Sequence, residues 1–169
     1  MSPMIKLAFF ILILIILSSI TTTRKRKKKI RNIEKGNRII KRINEFEGEA
    51  KEAKAITYLR KIDAYVFEEL LLSALEKKGF QISRNKRYSH DGGVDGRATY
   101  NGQLYYIQAK RYSKYVSLKH IEAFESKVRN NKGLFIHTGK TGKDTYNRYR
   151  NSNVTIISGS RLVALLCES

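Results

Sequence analysis

The sequence is poor in three kinds of residue. It has one cysteine, one proline and few acids, with 15 Asp+Glu against 34 Lys+Arg in 169 residues. A lone Cys167 excludes an internal disulfide, and without a CxxC or Cys/His grouping a structural zinc site is excluded too. Cys167 instead reads as a small apolar residue of a last helix. With the only proline at Pro3, nothing downstream interrupts a helix by ring geometry. The shortage of acids leaves a formal charge of +19, which seeks a polyanion, either nucleic acid or an anionic membrane surface. Residues 21–44 hold eleven Lys/Arg and one Glu, while residues 65–169 hold eighteen and nine, so the globular part is basic in its own right.

The first long feature is an apolar run. Residues 7–20 (LAFFILILIILSSI) carry no charge, and extension back to Pro3 past Lys6 gives eighteen residues, near the roughly 20 that span a bilayer. A transmembrane helix over 4–22 is the expectation. A cleaved signal peptide is the alternative, but the positive cluster RKRKKK (24–29) follows the run, only Lys6 precedes it, and no A-x-A-like site is present. By the positive-inside rule the chain crosses the inner (cytoplasmic) membrane once, with its C-terminal domain in the cytoplasm. The basic collar is ascribed to topology and lipid head groups rather than to DNA. Residues 23–62 then read as collar plus helical linker. The apolar stripe of Ile39, Ile43 and Phe46 is thin, which suggests a stalk, open to pairing in a homodimer, that holds the domain off the head groups.

From residue 63 the pattern becomes that of a packed domain. Tyr65, Phe67, Leu70, Leu71, Ala74 and Leu75 follow a 3.6-residue period, with Asp63 placed to cap the helix and Gly79 to stop it. Strands are expected over 80–87, 94–100, 103–111, 133–138 and 154–157, and further helices over 117–130, 141–150 and 161–166. Antiparallel strands first and single buried strands between helices later imply an α/β domain over 63–169, a mixed β-sheet flanked by helices.

One segment carries chemistry. Asn101-Gly102, between two alternating runs, is a strong two-residue hairpin signal, and it pairs Tyr100 with Gln103. Opposite positions then sum to 203, so Asp95 faces Gln108, and Lys110 is its diagonal neighbour on the same face. Periodicity alone would leave Gln108 and Lys110 as an ordinary solvated strand face. Asp95 opposite them, a residue type disfavoured in strands, turns the patch into a candidate site. Asp91 is read as shaping the Gly92-Gly93 turn. His90, His120 and His137 lack metal-ligand spacing and read as structural or surface residues, with His90 and His137 as weak candidates for phosphate contact. Residues 139–143 (GKTGK) lack the full phosphate-loop spacing and read as a loop entering a helix. Arg84, Lys86, Arg87, Arg111, Lys114, Lys140, Lys143 and Arg148, interleaved with tyrosines, are the expected DNA-facing surface.

Phe67-Glu68, Gly79-Phe80, DGGVDG (91–96), QAKRY (108–112), Thr138-Gly139 and Ser158-Gly159-x-x-Leu162 occur in this order. As a set they resemble the Mrr-type restriction endonuclease domain of the PD-(D/E)xK nuclease superfamily. The resemblance covers residues 65 to about 166. It implies a restriction-endonuclease-like fold and Mg²⁺-dependent hydrolysis of double-stranded DNA, often foreign or modified, with Mn²⁺ as a substitute ion. Asp95, Gln108 and Lys110 would be the catalytic trio and Glu68 an accessory acid, for which Glu69 is a rival. Superfamily members usually carry Asp or Glu where this chain has Gln108; the Mrr branch is similar to it in using Gln. The residues agree with that chemistry, since a hard ion could take Asp95, the Gln108 amide oxygen and the Ala109 carbonyl as ligands, with Lys110 stabilising developing charge. A catalytically silent DNA-binding module, a nuclease resembling Holliday-junction resolvases, and a membrane adaptor are the competing readings.

Overall fold

A computed structural model of the chain describes residues 3–85 and 93–167, apart from the side chains of residues 3, 4, 6 and 8. The described residues form six helices and five strands, three helices and three strands first and then single ones in alternation: α1 (Pro3–Asn44), α2 (Lys51–Lys61), α3 (Ala64–Lys77), β1 (Gln81–Arg84), β2 (Gly96–Tyr100), β3 (Gln103–Lys110), α4 (Leu118–Val128), β4 (Lys132–His137), α5 (Lys143–Tyr149), β5 (Val154–Ile157) and α6 (Gly159–Leu166). The strands form one sheet in chain order. β1–β2 and β2–β3 are antiparallel, whereas β3–β4 and β4–β5 are parallel. The mixed sheet follows from the connections: a tight turn permits only antiparallel pairing, and the helical crossovers α4 and α5 return the chain for parallel pairing.

The hairpin register is the expected one. Tyr100 pairs with Gln103 and Gly96 with Ile107, and Asn101 and Gly102 both take positive φ, 48° and 76°, as a type I′ turn requires. Asp63 caps α3, its Oδ1 accepting from the backbone amides of Tyr65 and Val66 at 2.9 and 3.2 Å. Helices cover the sheet on both faces. Alternate residues of β3 and β4, Ile107, Ala109, Leu134 and Ile136, pack on α3 and α6; Phe135 on the opposite face packs with Ile121, Phe124 and Val128 of α4.

Residues 30–62 depart from the expected stalk. The helix α1 ends at Asn44, and Gly48, at φ 78°, separates it from α2. Both helices then bury residues in the core, Ile40 and Ile43 from α1, Ala55 and Leu59 from α2. At Gly36 a Cβ would stand 3.0 Å from the Leu70 Cα, so the missing side chain lets α1 lie directly on the α3 backbone. The collar also touches the domain, where Lys29 Nζ donates to the Asn85 carbonyl at 2.8 Å and Lys28 lies over the Tyr65 ring. No spacer separates the two.

The membrane expectation needs correction as well. Among the described residues no helix is long and apolar enough to cross a membrane, so the transmembrane span over 4–22 is not supported. The uncharged apolar run covers 7–20, about 21 Å at roughly 1.5 Å per residue, whereas a hydrocarbon core is about 30 Å thick. Ile5, Leu7 and Phe9 through Leu17 are nevertheless exposed around the helix.

Candidate active site

The site is built where β2 begins and β3 ends. Asp95 immediately precedes β2, its amide donating to the Ile107 carbonyl at 2.8 Å, and its Oδ2 accepts from the Ala109 amide at 2.7 Å. That second bond fixes the carboxylate against the backbone between Gln108 and Lys110, while Oδ1 makes no hydrogen bond among the described residues. Burial pushes the Asp95 pKa up; the Ala109 amide and the charges of Lys110 and Lys127 pull it back.

Gln108 is buried, at 5% exposure, and its Oε1 has no hydrogen-bond partner among the described residues. An unsatisfied buried carbonyl oxygen costs about 1–3 kcal/mol, which makes Gln108 Oε1 a candidate ligand atom. The amide is held by its surroundings: a Cβ at Gly93 would lie 2.5 Å from Gln108 Nε2, so only glycine leaves room there, and its φ of 90° favours glycine as well.

Glu68, on α3, completes the group. Its pKa is raised to about 8, first by burial and then by the neighbouring charges of Asp95, Glu69 and Asp63, with Lys110 opposing. At neutral pH the Glu68 carboxyl therefore holds its proton. The rival Glu69 is committed elsewhere, buried in a 3.0 Å ion pair with Arg84. Among the described residues no group of three His, Cys, Asp or Glu side chains could hold a metal, consistent with Gln108 standing at an acidic position. The donor set nevertheless suits a hard cation: a carboxylate oxygen, an orphaned amide oxygen and adjacent backbone, to which a substrate phosphate could add a further ligand.

The expected DNA-facing residues fall into different places. Arg84 is not among them. Its side chain is 17% exposed and tied to Glu69, Glu76 and Ser73, so it serves α3–β1 packing. Lys86 and Arg87 lie outside the described residues, as do His90 and Asp91. Arg111 is exposed, its Nη1 donating to the Ile62 carbonyl. Lys114, Lys140 and Lys143 are exposed on one edge, where the Lys140 amide donates to the Lys114 carbonyl at 2.9 Å. Arg148 is exposed but paired with Glu122 at 2.9 Å.

His137 does not contact phosphate. It is fully buried at the end of β4, and burial lowers its pKa to about 4. Its Nδ1 accepts from the Gly139 amide at 3.1 Å, so Nε2 carries the hydrogen and donates to Thr141 Oγ1 at 3.2 Å. Thr141 Oγ1 lies 2.9 Å from Ser158 Oγ, linking β4 to the start of α6. Sequence reasoning also passed over Lys127 in the last turn of α4, whose charge reaches Asp95. The periodicity of α4 marks Phe124 and Val128 as inward, but no local signal states how near that helix runs to the hairpin.

Comparison with known proteins accords with this geometry. The fold resembles MspJI restriction endonuclease, solved in complex with a 27-mer oligonucleotide, with a TM-score of 0.57 and 22% identity over 72% of this chain. The match covers 32% of that protein, so this chain corresponds to about a third of it. A protein of unknown function, AF1548, aligns with a TM-score of 0.47 and 15% identity over 57% of this chain and 62% of its own. Among curated proteins no significant relative was found. A restriction endonuclease family model, that of the Mrr catalytic domain, matches residues 59–166, more than half of the chain and all of the elements that build the site. The chain therefore belongs to the restriction endonuclease family, in its Mrr-type branch.

Proposed function

We propose that the chain is a metal-dependent DNA endonuclease that acts while attached to a membrane, on foreign or modified DNA. The observation that carries the metal requirement is the buried Gln108 Oε1, without a partner among the described residues, beside Asp95. Asp95, Gln108 and the Ala109 carbonyl would hold Mg²⁺ or Mn²⁺, which supplies a polarised phosphate and a more acidic bound water. Hydrolysis forms an O–P bond from water and breaks the P–O bond to one flanking sugar. Lys110 orients the water and offsets negative charge that grows on the phosphate oxygens. Asp95, pinned by the Ala109 amide, keeps its remaining oxygen aimed into the site. Glu68, protonated at neutral pH, can hand its proton to the departing sugar oxygen and recover one from the attacking water.

Plasmid DNA, methylated and unmethylated, tests this reading when incubated with the full chain in detergent. Cleavage is expected with Mg²⁺ or Mn²⁺ and none with EDTA. Cleavage in EDTA removes the metal from the proposal; DNA binding with no cleavage under any metal favours a silent DNA-binding module instead.

Attachment rests on the exposed apolar part of α1, followed by the basic cluster 24–29. Apolar side chains presented on every face of a helix suit lipid, and the cluster suits the anionic cytoplasmic leaflet, which favours a domain lying on that side. In fractionated cells the full chain should pellet with membranes and resist high salt. Recovery in the supernatant of a salt wash would leave charge alone as the link.

A further inference from the structure

We propose that Lys127 is a substrate-phosphate contact, recruiting the DNA backbone to the catalytic group before any metal is bound. The inference rests on the nuclease reading of the site and adds a residue that the D…QxK pattern does not contain. Lys127 stands in the last turn of α4. Its Nζ lies 3.4 Å from where a Cβ at Gly93 would be, and the same point is 2.5 Å from Gln108 Nε2. The ammonium therefore lies beside Gly93, two residues before Asp95.

Three further observations turn this proximity into a role. Lys127 is exposed and makes no ion pair or hydrogen bond among the described residues, unlike Arg148 nearby, which is held by Glu122. Its charge acts on Asp95 together with that of Lys110. Asp95 is thus flanked by two ammonium groups, while the position opposite it is a neutral amide, so the group carries more positive than negative charge. Such a centre has modest attraction for a bare divalent ion and stronger attraction for a phosphodiester. The phosphate, once held, brings the negative oxygens that a cation needs.

The test measures binding rather than cleavage. Full-length protein is titrated with a short DNA duplex in EDTA at several salt concentrations, and with Mn²⁺ in the absence of DNA. The Lys127→Ala variant should bind duplex roughly tenfold more weakly, with the slope of log affinity against log salt reduced by about 1. Its Mn²⁺ affinity should be equal to or tighter than that of the unaltered protein, because a positive charge beside Asp95 has gone. Lys127→Arg should restore duplex affinity, and Lys119→Ala, two turns earlier on the same exposed helix, should leave it unchanged. Unchanged affinity and slope in Lys127→Ala would overturn the proposal, as would a parallel loss of Mn²⁺ and DNA binding, the mark of a purely structural role. Absence of cleavage by the unaltered protein bears on the nuclease reading alone; a lost phosphate contact in Lys127→Ala upholds this one regardless.

Discussion

Replacing Asp95 and Lys110 together by alanine should lower the rate of DNA cleavage by at least about a thousandfold. Asp95 supplies the carboxylate of the proposed metal site and Lys110 the cation that meets charge growing in the transition state, and each such contribution is typically worth a hundredfold or more. The change should spare the fold, because neither side chain belongs to either buried cluster. Among the described residues the one side-chain hydrogen bond lost is the 2.7 Å bond from the Ala109 amide to Asp95, and Asp95→Asn retains an acceptor there. Duplex binding in EDTA should fall by no more than about tenfold, since a single ammonium is lost from a broadly basic surface. Nicking assays with supercoiled plasmid provide the measurement. A double variant that cleaves within tenfold of the parent would place the chemistry elsewhere.

The second large effect concerns stability against pH in metal-free protein. Glu68 has a folded pKa of about 8 against an ordinary 4.5. Its protonated form is favoured by the fold, so its contribution is complete below about 4.5 and disappears as pH rises through about 8. His137 has the opposite sign. Its folded pKa of about 4 lies below an ordinary 6.5, so its contribution is present above about 6.5 and disappears as pH falls through about 4. At roughly 1.4 kcal/mol per unit, the His137 effect reaches roughly 3 kcal/mol and the Glu68 effect at most roughly 5, the latter an upper bound because Glu68 is partly exposed.

Between pH 4.5 and 6.5 the two oppose each other, so the unaltered chain should change little in stability there. Glu68→Gln, which imitates the protonated carboxyl, removes one of them. Urea unfolding in EDTA and detergent should then show Glu68→Gln more stable than the parent at pH 9 by several kcal/mol. The variant should also lose roughly 3 kcal/mol on acidification from pH 6.5 to 4, a loss that the parent largely masks. Parallel pH profiles for the two proteins would mean that Glu68 is not desolvated in the fold.

The legible parts of this molecule were those set by local rules. A two-residue Asn-Gly loop admits essentially one register, and that register brought Asp95 opposite Gln108 without any knowledge of the sheet. Asp63 before an apolar periodic run is an equally local signal for a cap. The parts that escaped depend on what lies across space. The helix α1 looked too thinly apolar to belong to the core because one of its main contacts, at Gly36, is made by the absence of a side chain. Arg84 looked like a DNA contact because its charge reveals nothing about Glu69 and Glu76 beneath it. Lys127 is one exposed lysine among many until the approach of α4 to the Gly93 turn is known.

The continuity of α1 has a mechanical consequence. One 42-residue helix runs from the apolar end to Ile40 and Ile43 in the nuclease core, a rod of about 63 Å with no break along its length. A flexible tether would let the catalytic group sweep a volume and search for DNA. With the apolar end held at a membrane, as proposed, a rod anchored in the core would instead fix the height and orientation of the domain above that surface, like a stationary blade. Substrate would then have to be delivered to it, and the duplexes cut most readily would be those that pass close to that surface.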